Sequence, residues 1–219
     1  PQSCDFGWWQ TDGKKVTSLK ELYDSLTEDE RSSSQYISMD KESADLMLSS
    51  LRDNDTYLAY VTLDRIMDYK DFIRFINDKS LGNVWCGVFI PKSDYYEDEM
   101  SLGLPYLGFV CNPWFGREEA GLDEYPNLFT GLDNKDELAD EDFAKQHFLS
   151  MLRYMRDNKR SASVMSSIED LTNALDPAID YVEKNGLKIH GFAITATKDK
   201  LLKINDMKEV YAISTKEFK

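Results

Sequence analysis

The sequence predicts an α+β fold in which two β-helix-β units form a ferredoxin-like antiparallel sheet. The segment Tyr57–Phe89 and the last thirty-odd residues, from Gly186 onwards, each show the order strand, short helix, strand. Right-handed crossovers would place both helices on one side of a single sheet. We expect an N-terminal helical region at 1–56 that packs on a main domain at 57–219, with a long acidic, helix-containing insert at 94–184.

The region before Tyr57 is predicted to hold two helices. Ser18 and Glu21 match a capping box, and apolar residues then recur at helical spacing. A second helix is expected to begin at Asp40, with Ala44 and Leu48 on its apolar face.

The first β-helix-β unit begins with the strand Tyr57–Leu63, which is rich in β-branched and aromatic residues. Asp68 is expected to cap the helix that follows, and Val84–Ile90 supplies the next strand. The predicted buried stripe of that helix consists of Tyr69, Phe72, Ile73 and Ile76.

The insert is predicted to contain a short strand at 106–110 and two helices. The first helix spans Phe143–Asn158, and the second follows a Ser166/Glu169 capping box. Pro177 is expected to kink or restart the second helix, and the pair Asn185-Gly186 should end it as a left-handed C-cap. The second unit then supplies a strand, a helix and a final strand.

The net charge of the 219 residues is −14, which argues against binding of a nucleic-acid phosphate backbone, so we expect no nucleic acid as a partner. Residues 94–142 hold 14 acidic side chains against Arg117 and Lys135, so this stretch alone carries −12. Such a run is either a solvated loop face or a surface that attracts cations and basic peptides.

No catalytic signature accompanies these elements, so we expect no enzyme activity, no cofactor and no metal site. His147 and His190 lack a nucleophile motif and are interpreted as structural. The many carboxylates leave an acidic hydrolase as a minor alternative, because acid/base catalysis needs two of them in different environments. Cys86 is predicted to be a small buried hydrophobe, and one disulfide among Cys4, Cys86 and Cys111 stays open.

Trp114 and Phe115 are the predicted binding residues. They lie among turn residues inside the acidic stretch, where aromatic anchors surrounded by like charges make a recognition surface. A partner of this surface would be basic or cationic.

No apolar stretch approaches the eighteen or so residues that cross a bilayer. The chain begins at Pro1, as a processed product or a fragment would, so we expect any membrane anchor to lie upstream.

Two regions of the chain resemble the sigma factor regulator C-terminal domain family. The first is Tyr57–Asp64 with the strand Val84–Phe89, and the second is Gly191–Thr195 followed by Thr197 and the leucine-rich Leu201–Ile204. The similarity spans residues 57–218.

The resemblance implies the extracytoplasmic sensory domain of a membrane-anchored anti-sigma factor that controls an extracytoplasmic-function sigma factor. Such a domain lies outside the membrane and senses a protein or a cell-envelope signal. It would reach its sigma factor through a separate cytoplasmic region, and the membrane only through an upstream helix. The alternative function is a small-molecule-binding module of ferredoxin-like type.

Overall fold

The computed structural model describes residues 18–21, 41–90, 107–111, 123–128, 137–158 and 169–217. They contain both helices and strands, and the strands form an antiparallel sheet, which confirms the α+β class. The helices are α1 (Lys41–Ser49), α2 (Tyr69–Asp78), the 3₁₀ helix Glu137–Ala139, α3 (Glu141–Asp157), α4 (Glu169–Asn185) and α5 (Lys198–Asn205). The strands are β1 (Thr56–Asp68), β2 (Val84–Val88), β3 (Gly108–Cys111), β4 (Lys188–Thr197) and β5 (Val210–Glu217).

The five strands form one open antiparallel sheet in the order β3-β2-β4-β1-β5. β1 pairs with β5 from Tyr57 opposite Glu217 to Leu63 opposite Val210, with an irregularity between Thr62 and Leu63. Except for β2 and β3, strands that are adjacent in the sheet are not consecutive in the sequence. The description of the two β-helix-β segments as ferredoxin-like stays a prediction, and so do the domain boundaries at 56/57, 94 and 184.

Contacts divide the chain into two units. The first consists of residues 1–66, 84–87 and 190–219, and the second consists of residues 67–83 and 88–189. In the first unit the apolar residues of β1 alternate in burial, with Ala59, Val61 and Leu63 fully buried. Helix α5 contributes Leu201 and Ile204 to this core, and α1 packs against α5 and β5. Leu19 and Ala44 cluster with Tyr211 and Ala212.

In the second unit, Phe109 of β3 forms the centre of an aromatic group. Its ring lies 5.6 Å from that of Phe148 on α3 and 5.8 Å from that of Tyr69. The Tyr69 hydroxyl donates a 2.7 Å hydrogen bond to the carbonyl of Leu138, so this buried aromatic also satisfies its polar end. Helices α3 and α4 pack together.

Two predictions for α2 need correction. Asp68 has the extended backbone of an N-cap, but its side chain makes no cap hydrogen bond and pairs with Lys188 Nζ. Phe75 is buried in place of Ile73, which is half-buried. Helical geometry places Phe75 next to Phe72 on the apolar face and Ile73 at its margin.

The predicted end of α4 is confirmed, whereas a restart at Pro177 is wrong. The helix runs without interruption from Glu169 to Asn185, with Pro177 inside it. Gly186 has φ +76°, the left-handed conformation of a glycine C-cap, and its N–H donates to the carbonyl of Val182. In the described part of the chain, no helix has the length and apolarity to cross a membrane.

Candidate interaction surface

The acidic stretch 94–142 is described at 107–111, 123–128 and 137–142. Trp114 and Phe115, the predicted binding residues, lie outside the described residues. Within the described part, the turn 123–128 lies against α3, and the acidic side chains of the turn and an aromatic ring of α3 reach the surface.

Three hydrogen bonds anchor this turn to one side of α3. Ser150 Oγ donates to the carbonyl of Pro126 at 2.6 Å, and His147 Nδ1 lies 2.7 Å from the carbonyl oxygen of Asn127. The side-chain amide of Asn127 donates to Gln146 Oε1 at 2.6 Å. Asn127 has φ +61°, a conformation that asparagine adopts more readily than most residues. The turn is therefore held through its backbone as well as its side chains.

His147 has a structural part in this anchor. A carbonyl only accepts hydrogen bonds, so Nδ1 carries a proton in the neutral ring. Burial lowers the pKa of the imidazole, which favours that neutral form. The ring also makes an edge contact with Phe109, at 5.6 Å and 75°.

A chain of polar contacts continues from the turn along α3. The hydroxyl of Tyr125 donates to Asp157 Oδ2 and Arg156 Nε donates to Asp157 Oδ1, each at 2.9 Å. These hydrogen bonds lower the pKa of Asp157, with Arg156 the larger cause, and the bond to Asp157 raises the pKa of Tyr125. Arg156 Nη1 also lies 3.5 Å from Asp176 Oδ1 on α4.

The outer side of this network is acidic with an exposed aromatic ring. Tyr154 is 40% exposed and meets Tyr125 edge-on, with ring centroids 5.4 Å apart and an interplanar angle of 86°. We call this the acidic-aromatic surface, which consists of exposed Asp123, Glu124, Tyr154, Asp157 and Asp176 around half-buried Arg156. Four carboxylates against one guanidinium make it negative.

His190 lies in the first unit. Burial lowers its pKa to about 4, so the ring is neutral at physiological pH. It lies across Gly87 so closely that a Cβ built there would be 2.8 Å from His190 Nε2. The glycine is needed because it leaves room for the ring.

Other candidate chemistry finds little support in the described residues. No group of three His, Cys, Asp or Glu side chains within them is arranged to hold a metal ion. Cys86 and Cys111 are buried thiols, as the apolar surroundings of Cys86 indicated. The arrangement on α3 is suited to binding through charge and an aromatic contact.

Sequence reasoning missed the anchored turn, although two signals were present. Tyr125-Pro126-Asn127 is a turn sequence, and Gln146, His147 and Ser150 are polar residues spaced to share one side of a helix. Neither signal predicts that the turn and the helix are in contact.

Comparison with known proteins agrees with the sequence resemblance. The family model described as sigma factor regulator C-terminal matches residues 48–217, well over half of the chain. A search of curated proteins and a search of solved structures each found no match. The matched family is one of regulators and is not a known enzyme family. Both β-helix-β segments and the anchored turn lie within the matched residues, so the chain belongs to the sigma factor regulator C-terminal family.

Proposed function

We propose that this chain is the extracytoplasmic sensory domain of a membrane-anchored anti-sigma factor that controls an extracytoplasmic-function sigma factor. It acts by binding a protein or a cell-envelope signal and not by catalysis. The observation that carries the proposal is the family match over residues 48–217. The sigma factor is contacted by a cytoplasmic region, and the membrane by a helix, both upstream of this chain.

The contact surface of the domain is the acidic insert, with Trp114 and Phe115 as its aromatic anchors. Two observations support this part of the proposal. Residues 94–142 carry −12 of the −14 net charge. The acidic-aromatic surface around Tyr154 continues the same combination onto α3 and α4. Negative charges around an aromatic contact raise the rate at which a cationic partner associates. The aromatic ring itself provides the apolar area that is desolvated on binding.

The core of the domain is ferredoxin-like in our proposal. The segments β1-α2-β2 and β4-α5-β5 each have the order that such a fold needs. The strand order β2-β4-β1-β5 interleaves the two segments, with β3 added beside β2.

The test is deletion of residues 57–217 from the full-length gene, read out with a reporter of sigma-dependent transcription under envelope stress. We expect the deletion to change reporter output with and without stress, because signal and regulator are uncoupled. The matched control replaces the same residues by an unrelated folded domain of similar size, which keeps the upstream region at the membrane.

An immunoblot confirms that all versions accumulate equally. If the deletion and the replacement both respond to stress as the intact protein does, the domain is not the sensor. If only the deletion changes the response, the domain acts as a spacer and the sensory proposal is wrong.

A further inference from the structure

Helix α1 is attached to the first unit by a small apolar contact. Only Ala44 and Leu48 of its nine residues are buried, whereas Leu46 is 71% exposed and Glu42 and Ser43 face solvent. An isolated helix of this length is unstable in water, because nucleation is costly and each further residue adds little. The helix therefore stays folded through its contacts with α5 and β5.

Polar contacts add to this attachment. Lys41 Nζ donates to the carbonyl of Met207 at 3.2 Å, and Thr215 Oγ1 lies 3.0 Å from Met47 Sδ. Asn205 Nδ2 donates to Asp45 Oδ1 at 2.6 Å. Both the Lys41 bond and the Asp45 bond have a charged partner and are therefore among the stronger polar contacts, and the bond between Asp45 and Asn205 is the shorter of the two.

The same contact leaves a polar atom unsatisfied. Asn205 is fully buried, and none of the described residues donates to its Oδ1. Asp45 lies against the amide of Asn205, so α1 is part of what covers this side chain. A buried amide oxygen without a donor is unfavourable, and water would satisfy it if α1 moved away. The unsatisfied oxygen therefore destabilises the docked position of α1, and opening of α1 removes this destabilisation.

The contacts that follow α1 in the chain limit how far such an opening spreads. Residues 41–47 precede the family match, which begins at residue 48, while Asn205, Met207 and Thr215 lie inside it. On the C-terminal side, Lys198 Nζ holds the Leu51 carbonyl at 3.0 Å and Asp53 Oδ1 at 2.8 Å. The chain is therefore fixed again just after α1, so α1 can open without disturbing β1.

We propose that α1 is a releasable latch: it unfolds locally from α5 and β5 while the sheet stays intact, and the bond between Asp45 and Asn205 holds it closed. That this release transmits a signal to the upstream region rests on the proposed function. The opening itself does not, because it is a property of this chain alone.

The experiment is native-state amide hydrogen exchange on the chain 1–219 over a series of low denaturant concentrations. We expect amides of α1, from Asp45 to Ser49, to exchange at least about 100-fold faster than those of Val61 and Ile194 in the sheet, with little dependence on denaturant. Asp45→Ala should speed α1 exchange about tenfold further and leave the sheet amides unchanged. The matched control Leu46→Ala changes the same helix on its solvent side, where the side chain is 71% exposed, and should not speed α1 exchange.

Equal exchange rates and equal denaturant dependence for α1 and the sheet in the unaltered chain would overturn the latch, and this comparison needs no variant. An Asp45→Ala variant that accelerates α1 and the sheet together would also overturn it. A fast-opening α1 in a chain whose deletion leaves sigma-dependent transcription unchanged would keep the latch and refute the proposed function.

Discussion

The buried side chain of His190 is accommodated in the first unit by the glycine at position 87. His190 lies on β4 with its ring over Gly87 of β2, and burial holds its pKa at about 4. The neutral ring fills the space that a side chain at position 87 would occupy.

Acid should destabilise the fold through His190. The unfolded chain binds a proton below about pH 6.5 and the folded chain below about pH 4, so stability falls as pH drops through that window. From pH 7 to pH 4 we expect a loss of about 3 kcal/mol from this residue, at 1.36 kcal/mol per pKa unit. Urea unfolding at a series of pH values measures it.

His190→Gln is the matched control, because it keeps a polar side chain that does not titrate. The buried His147 contributes in the same direction in both proteins, since its pKa is also lowered. Identical losses for the two proteins between pH 6.5 and pH 4 would contradict the assignment.

Gly87→Ala should destabilise the chain by about 1–3 kcal/mol, because overpacking a close contact forces its neighbours to move. The new methyl group would lie 2.8 Å from His190 Nε2 and 3.4 Å from the carbonyl oxygen of Gly191. Chemical denaturation of single and double variants measures the coupling. With His190→Ala the ring is gone, so Gly87→Ala should cost less there than in the unaltered chain. Additive effects would show that the two residues do not compete for space.

At the scale of elements, α2 and α3 are each preceded by an aspartate at the N-cap position, but the two side chains make different contacts. Asp140 caps α3 by accepting a 2.9 Å hydrogen bond from the N–H of Phe143, whereas the side chain of Asp68 before α2 pairs with Lys188. The same residue type at the same position therefore has two different functions. The sequence pattern before each helix does not distinguish them.

Asp140→Ala should cost about 1 kcal/mol of stability, because a helix N–H loses its acceptor. Asp68→Ala is the matched comparison and should cost less, since it removes an ion pair whose carboxylate is 56% exposed. Thermal unfolding of both variants in parallel tests the difference. A larger loss for Asp68→Ala would mean that the pair with Lys188 is a structural contact and not a surface one.

At the scale of the whole molecule, charge is distributed very unevenly. The stretch 94–142 carries −12 and all other residues together −2. A field of one sign raises the association rate of a cationic partner and weakens as salt screens it. Aromatic contacts are much less sensitive to salt, so the two contributions can be measured separately.

We expect a lysine-rich peptide to bind the chain with an association rate that falls about tenfold or more between 50 mM and 500 mM salt. Asp123→Asn with Glu124→Gln should lower that rate at low salt, and Trp114→Ala with Phe115→Ala should speed dissociation instead. Stopped-flow fluorescence measures both rates, and circular dichroism checks that each variant is folded. Unfolding of the aromatic double variant would show that these rings belong to the core.

Local sequence patterns determined much of the element order. Strand composition at Tyr57–Leu63, the periodicity of α3 and the glycine after α4 depend on neighbours within a few residues, and the structure has these elements. The motifs at both ends of the matched region also indicated the family. Boundaries were less predictable: β1 continues to Asp68, because its last residues lie within the sheet and not within a local turn.

The tertiary structure alone decided which distant residues meet. Local patterns could not predict three contacts, because each joins residues that are far apart in sequence. They are the bond between Asp45 and Asn205, the packing of the turn 123–128 on α3, and the contact of His190 with Gly87. Burial on α2 also differs from the predicted stripe, since Phe75 is buried and Ile73 is half-buried. Composition and periodicity specify which surfaces are apolar, and packing specifies what each surface contacts.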